Sequence, residues 1–488
     1  MTAHQTHDVL TQPVPSAPCL SPSIAHSSPD VCASLLTTTL DGRTEALVLS
    51  IGNPITIGRN PKLCSYVIPD IVVSSLHCKI YAVRSGAGGI IISCQDLSTN
   101  GIVLNGHKIR KTSSILMHGD TLKIPASQAF QCVLNSRNLP ATRLHNALSQ
   151  PHAFKDLGRY RVTSHCLGTG SYASVHLALD TSAHRQVACK IIRRKPGNDL
   201  KKELKEATLL TSLHHPNINR VYAFDYDPQF LYIMLQLSTG GDLFTYITNH
   251  PRRRLREGEA KYITFQMLKG LQYLHDRMIS HRDLKPENIL LHSPGPYPRI
   301  QIADFGLARP RAYEETLHVC GTISYLPPEG VRALENKNLG YVGMPADCWS
   351  AGIVVFAMLT GSHPFDYCDP RDMRDDDTIP GVQDSKIKDS GDLMGFSQRS
   401  HIQDELTKQR ILDGTVYFCD SLWPSLRNAL LFSVMLTVNP AKNLVTHLLI
   451  PDPKKRATVY AALKSFWITS DLADLERAYR ERIRSAAS

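Results

Sequence analysis

The sequence predicts a multidomain chain in which an all-β sandwich, residues 36–138, precedes a two-lobed α+β unit, residues 159–468. Three observations predict it. Short β-branched runs (EALVLSI, ITIGR, CKIYAV, GIIISC, GIVLNG) recur between turn signals such as Gly-Asn-Pro and Asn-Gly, which is the texture of a sandwich. After about residue 159, strand-like runs come first and long helical periodicities follow. The run HRDLKPEN at 281–288, followed by DFG at 304–306, places two aspartates, a lysine and an asparagine on neighbouring loops of that second unit.

The remaining segments follow from composition. Residues 1–35 are rich in Pro, Ser, Thr and His and poor in large apolar side chains. Such a stretch buries too little surface to offset its ordering entropy, so a disordered tail is expected. Residues 139–158 read as a polar linker and 469–488 as a C-terminal tail, where LADLERAYRERIRS forms a short charged helix or a frayed end. Two insertions stand out. Residues 366–405 are Asp-rich and read as a solvated loop, while the apolar RNALLFSVMLTVNP at 427–440 interrupts the passage from LWPSL into AKNLVTHLL. Three readings of the latter stay open: a packed helix, a partner surface, or a retained intron.

Composition excludes several classes. The 488 residues are 42% hydrophobic and 20% charged, as in soluble globular proteins, with a net charge of +10. No long Lys/Arg run concentrates that charge, so solubility explains it better than a basic patch and no direct nucleic-acid partner is expected. Twelve cysteines without a C-x-x-C pair argue against zinc ribbons and thioredoxin-like sites. No charged-then-apolar leader opens the chain, which favours a reducing intracellular compartment. No uninterrupted apolar stretch reaches the ~18 residues of a membrane span, the nearest being Ala429–Val438, so no membrane partner is expected.

The 281–306 region carries chemistry. Phosphoryl transfer consists mostly of positioning and charge neutralisation, and it needs metal ions, phosphates and an acceptor hydroxyl held together. HRDLKPEN and DFG, in that order, resemble the eukaryotic protein kinases. The resemblance implies Asp283 as base for the acceptor hydroxyl, Lys285 at the γ-phosphate, and Asn288 and Asp304 as Mg²⁺ ligands. ATP is the implied phosphate donor. Upstream, Gly168, Thr169, Gly170, Ser171 and Val175 lie in GTGSYASV, a loop whose backbone approaches phosphates; its usual third glycine is Ala173. Lys190 in VACKII would contact the α- and β-phosphates. Glu206 is the expected lysine partner on the following helix, with Glu203 as the neighbouring alternative. In LYIMLQLSTGGDLF, Leu235 would guard the back pocket, Gln236, Leu237 and Ser238 would form the adenine-binding hinge, and Asp242 would reach either the ribose or a basic substrate side chain. PPE at 327–329 ends the activation segment, Glu329 pairing with Arg456, and DCWSAG at 347–352 marks a central helix. The alternative for this half is a pseudokinase, but every charged group that phosphoryl transfer needs is present.

The DLKPEN form resembles serine/threonine rather than tyrosine kinases. Asp242 and Glu287 resemble the acidic pair with which basophilic kinases bind an arginine upstream of the acceptor, through a charge-assisted fork. Protein substrates with basic residues upstream of Ser/Thr are therefore expected.

In the first unit IGR (57–59), SSLH (74–77), DLSTNG (96–101) and LNG (104–106) occur in order and resemble the forkhead-associated (FHA) domain, a phosphothreonine reader. Any one of these is weak, since Asn-Gly alone is usually a hairpin turn. The resemblance implies Arg59 and Ser74 at the phosphate, Thr99 and Asn100 at phosphate and peptide backbone, Ser75 where Asn or Arg often contributes, and His77 as structural. An FHA-like scaffold without binding is the alternative.

An FHA domain ahead of a CaM-kinase-group serine/threonine kinase domain is similar to the checkpoint kinase 2 family, including the fungal DNA-damage and replication checkpoint effector kinases. That resemblance implies nuclear action, with the cytoplasm as the alternative, downstream of a sensor kinase that phosphorylates Ser/Thr-Gln. Thr11-Gln12 is the one N-terminal candidate; phosphorylated Thr11 docking on a second copy would form a transient homodimer. Two further functions stay in view: a meiosis-specific FHA kinase, and a phosphothreonine-dependent adaptor with dispensable catalysis. One departure concerns activation. Arg282 normally needs a phosphorylated residue to neutralise it, yet His318 stands where the usual threonine would be. Thr316 is the displaced candidate and Thr322 matches the second family threonine.

Overall fold

The computed structural model describes residues 31–39, 42–86, 89–135, 155–169, 173–194, 208, 210–305, 309–310, 315–316, 322–336, 338–365, 405–416, 418, 423, 429–430 and 437–487. Thr11, Gly170, Ser171, Glu203, Glu206, His318 and residues 366–404 lie outside them.

The first unit is a sandwich of two sheets. One runs in the order β2 (Thr44–Ser50), β1 (Val31–Thr38), β11 (Ala129–Leu134), β10 (Thr121–Lys123), β7 (Ile102–Leu104), β8 (His107–Ile109). The other runs β4 (Tyr66–Val67), β3 (Ile55–Gly58), β5 (Cys78–Arg84), β6 (Ile90–Asp96), β9 (Ser113–Leu116). Their inner faces enclose Leu35, Leu49, Ile57, Ile80, Ile92 and Phe130, taken largely from alternate positions, as the two-residue strand period requires. The ordered unit starts before residue 36. Cys32, Ala33 and Leu35 are buried on β1, which pairs with both β2 and β11, so this stretch is a central strand and not tail. Its short apolar run is outweighed locally by the Pro/Ser-rich residues before it, and pairing with β2 on one side and distant β11 on the other orders it.

The second unit has a small lobe built on one antiparallel sheet. Its order is β12 (Lys155–Leu157), β13 (Tyr160–Thr169), β14 (Ala173–Asp180), β15 (Arg185–Arg193), β17 (Phe230–Gln236), β16 (Val221–Tyr226). β12 takes up the last residues of the stretch read as linker. The larger lobe packs helices Glu257–His275, Gly343–Thr360 and Pro440–Leu448 around Trp349, Phe265 and Leu448. Gly343–Thr360 is long and apolar enough to cross a membrane by length and composition, but 78% of that window is buried inside the lobe. It stops at Gly361, whose left-handed φ of 80° and approach to Arg253 O exclude a side chain. Arg456 forks onto Glu329 at 2.7 and 2.9 Å, as the resemblance to protein kinases implies, and its guanidinium is fully buried.

The apolar insertion at 427–440 does not form one helix. Ala429–Leu430 pairs antiparallel with Thr437–Val438, and Asn439 then caps the helix Pro440–Leu448 through Lys442 N at 2.9 Å. The C-terminal segment is a helix over Leu472–Ala487 and it is docked. Leu475, Ala478 and Tyr479, at i, i+3 and i+4, face the larger lobe, where the Tyr479 hydroxyl donates to Asn217 Oδ1 at 2.8 Å.

The sandwich rests on the small lobe and on the connection between the lobes. Ser93 Oγ donates to Thr239 Oγ1 at 2.9 Å, and both residues are fully buried.

Candidate active site and phosphopeptide-binding face

Two backbone anchors shape the catalytic loop. Asp347, 1% exposed, accepts from the backbone N–H groups of His281 (2.9 Å) and Arg282 (2.8 Å) and from His275 Nε2 (3.0 Å). These bonds satisfy a buried carboxylate and hold Arg282 at a left-handed φ of 70°, a strained value for a side-chain-bearing residue. His281 Nε2 donates to Ala303 O at 2.9 Å, and Ala303 N donates to Asn288 O at 2.8 Å. The two loops are thereby stitched together one residue before Asp304, which is itself left-handed at φ 62°.

Asp283, Lys285 and Asn288 converge. Lys285 Nζ lies 3.1 Å from Asp283 Oδ2 and donates to Thr322 Oγ1 at 2.6 Å. Thr322 in turn donates to Asp283 Oδ1 through its N–H (3.0 Å) and its hydroxyl (3.1 Å). Asn288 Nδ2 donates to the Asp283 carbonyl (2.8 Å) and to Oδ2 (2.9 Å). Both carboxylate oxygens are therefore fixed by donors, so the group is held as an acceptor pointing at the Thr322 segment. Lys190 pairs with Asp304 Oδ1 at 2.5 Å. Glu206, its expected partner, lies outside the described residues.

Where the sequence places the nucleotide, Gly168 and Thr169 end β13 opposite Val175 and Ser174 of β14. Gln236 O accepts from Asn219 Nδ2 (3.0 Å), and Ser238 Oγ donates to Gln301 Oε1 (2.8 Å). Asp242 has a structural duty as well: it caps the helix Leu243–Thr248, accepting from Thr245 N at 2.7 Å and Thr245 Oγ1 at 3.0 Å. Glu287 is an exposed residue whose carboxyl pKa is raised, first by desolvation and then by the Asp242 and Asp283 charges. The two acidic groups read as a pair from the sequence are thus electrostatic neighbours.

Sequence reasoning missed Tyr341 and the extent of Asp347's role. The guanidinium of Arg282 donates to Tyr341 Oη, and β-pairing sets Thr316 opposite Tyr341. No local motif announces Tyr341, because the contact spans 59 residues.

In the first unit, the loops that carry the four sequence motifs meet through His77, which is fully buried. Its Nδ1 accepts from Ser74 N at 3.2 Å, so Nε2 carries the proton and donates to Gly101 O at 3.2 Å. Burial lowers its pKa, in keeping with a neutral ring. Arg59 N donates to Ser74 O (2.9 Å), Thr99 N to Ser74 Oγ (3.1 Å) and Asn100 Nδ2 to Val72 O (3.1 Å). Arg59, Ser75, Thr99 and Asn100 are exposed and Ser74 half-buried, on one rim of the sandwich. Gly58 and Gly101 allow the close approach. A Cβ at Gly58 would meet Ser75 O at 2.6 Å, and one at Gly101, with φ +80°, would meet Ile109 O at 2.5 Å.

The protein kinase domain family matches residues 161–468, and the FHA domain family matches residues 55–125. The chain belongs to the protein kinase family. The meiosis-specific serine/threonine-protein kinase MEK1 of Saccharomyces cerevisiae is 31% identical over 88% of this chain and 83% of its own length. Its Schizosaccharomyces pombe namesake is 28% identical over 94% and 91%. The serine/threonine-protein kinase cds1 of S. pombe is 30% identical over 68% of this chain and 74% of its own. This FHA kinase is an ATP-dependent serine/threonine phosphotransferase acting on protein substrates, with a domain for phosphothreonine partners.

Proposed function

We propose that this FHA kinase acts in DNA-damage and replication checkpoint signalling, recruited and activated through phosphothreonine binding. The arrangement of Asp283, Lys285, Asn288 and Thr322 carries the catalytic part. ATP supplies the phosphoryl group, and Mg²⁺ neutralises its phosphates when bound. Asp283 takes the proton of the substrate hydroxyl as its oxygen bonds to phosphorus and the bond to the ADP oxygen breaks. Lys285, already poised beside Asp283, neutralises the transferring group. Asp304 and the amide oxygen of Asn288 would hold Mg²⁺. Both are hard oxygen donors, and the Ala303–Asn288 backbone bond sets them on adjoining loops. Lys190 would leave Asp304 for the α- and β-phosphates and pair with Glu206. Gly168, Thr169, Gly170, Ser171, Val175 and Gln236–Ser238 would cradle the nucleotide.

Asp242 would reach the ribose of that nucleotide or, together with Glu287, select an arginine three residues before the acceptor. Arg59, Ser74, Ser75, Thr99 and Asn100 would hold the phosphopeptide, with an upstream sensor kinase supplying phosphorylated Thr11 for a transient homodimer in the nucleus. A phosphotransfer assay on a peptide with Arg at that upstream position tests the catalytic core. Asp283→Asn should lose at least a hundredfold, and equal activity in both proteins would sink the reading.

A second reading, meiotic control of recombination, is favoured by one observation: the two meiosis-specific relatives align over more of their own length than cds1 does. Phosphosite comparison of wild type and Asp283→Asn, after replication stress and in meiotic cells, separates the two.

A further inference from the structure

The outer face of the FHA sandwich and the nucleotide side of the small lobe bury one another. In β14 and β15, register pairs Val175 with Lys190, Leu177 with Ala188 and Leu179 with Gln186. Side chains two residues apart share a face, so Val175, Leu177, Gln186 and Ala188 lie on the same face as Lys190. That face, with Leu235 and Leu237 of the connection between lobes, forms one apolar cluster with Ile91, Ile115 and Met117 of the FHA unit. Ile115 is 2% exposed and Leu237 8% exposed.

The FHA strands are made for this contact. Ile92, Cys94 and Leu116 point into the sandwich core, so the alternate residues Ile91, Ser93 and Ile115 point out of it. Continuous apolar runs such as Ile90–Ile91–Ile92 and Ile115–Leu116–Met117 are expected where both faces of a strand are covered. β9 is also the edge of its sheet. Its exposed backbone is capped by a kinase side chain: Ile115 N donates to Gln186 Oε1 at 2.7 Å, and Gln186 Nε2 donates to Ile115 O at 2.9 Å. A second FHA element reaches the other nucleotide contact. A Cβ on Gly86 would lie 2.7 Å from Asp242 Oδ2, and one on Gly241 would lie 3.2 Å from Arg84 O.

We propose that the FHA domain is an intramolecular cap on the nucleotide cleft. Ile115 and Met117 hold the apolar surface against which adenine would stack, the turn at Gly86 covers Asp242, and the domain must move off before nucleotide binds. This rests on the reading of Val175, Gln236–Ser238 and Asp242 as nucleotide contacts. The cap makes nucleotide affinity depend on the fraction of uncapped chains.

Two variants of the full chain test it, read by titration with a fluorescent mant-labelled ADP. Ile115→Asp places a charge on the outward position without touching the FHA core, and it should bind at least tenfold more tightly than wild type. Ser93→Cys with Thr239→Cys should oxidise to a disulfide within one chain, mapped by mass spectrometry, lose nucleotide binding, and regain it on reduction. Failure of that link to form, a link between two chains, unchanged affinity after oxidation, or equal affinity of Ile115→Asp and wild type would each overturn the cap. If neither reduced protein nor Ile115→Asp binds nucleotide while both bind a phosphothreonine peptide, the nucleotide-site reading itself has failed, and the cap falls with it.

Discussion

The guanidinium of Arg282 donates to the phenol oxygen of Tyr341, from Nη2 at 3.1 Å and Nε at 3.3 Å. Arg282 precedes Asp283, and Thr316 pairs with Tyr341 in a two-residue strand. A neutral oxygen thus engages the cation that protein kinases commonly neutralise with phosphate. A dianion on Thr316 would be the stronger partner. Thr316→Ala should lower kcat of the activated enzyme about tenfold, as loss of one charge-assisted contact of about 1.5 kcal/mol implies. Tyr341→Phe should cost less than threefold once Thr316 is phosphorylated. Phosphosite mapping alongside kcat checks both, and full activity without phosphate on Thr316 or Thr322 would contradict this account.

Thr322 touches both Asp283 and Lys285 through one hydroxyl. Thr322→Ala keeps the N–H bond to Asp283 but removes that bridge. A tenfold to hundredfold fall in kcat is expected, with Thr322→Ser restoring most of it. If alanine and serine behave alike in steady-state kinetics, the hydroxyl has no such role.

Gly58→Ala tests the phosphopeptide rim. The new Cβ would press on Ser75 O and His77 N, both backbone atoms, so the loop carrying Ser74 must shift. Overpacking of this kind costs about 1–3 kcal/mol. Calorimetry should show loss of phosphothreonine-peptide binding, with the activity of the kinase unit retained.

Stability should fall on mild acidification. Burial lowers the pKa of His77 below its ordinary 6.5, and that of His215 to about 4. Between those values the unfolded chain binds protons that the folded chain refuses, so stability rises with pH there. This contribution is fully present above 6.5 and is lost as pH falls toward 4. Urea midpoints measured at pH 7.5, 6 and 5 should decrease in that order, and a flat or rising series would contradict the assignment.

Much of this was legible in the sequence because it is local. The HRDLKPEN loop and the alternating strand runs each encode a turn or a face within a few residues. The Glu329–Arg456 pair was legible as well, since both residues sit in recognisable segments. Other features were hidden. β1 looked like tail because Pro/Ser-rich residues precede it and one of its two pairing partners, β11, is distant in the chain. The C-terminal segment read as either a short charged helix or a frayed end, and its docking on the larger lobe decided for the helix. Tyr341 carries no motif at all.

The sequence by itself determined the chemistry: which carboxylates, cations and amide are available, on which loops, and that an FHA unit precedes them. Only the tertiary structure decided how they are engaged. It set Lys190 on Asp304, Arg282 on Tyr341, Asp242 on a helix N-terminus, and Ile115 of one domain on Leu237 of the other. The physical reason is that hydrogen-bond and apolar partners are chosen by proximity in space. Residues far apart in the chain become neighbours only when whole sheets and lobes have packed.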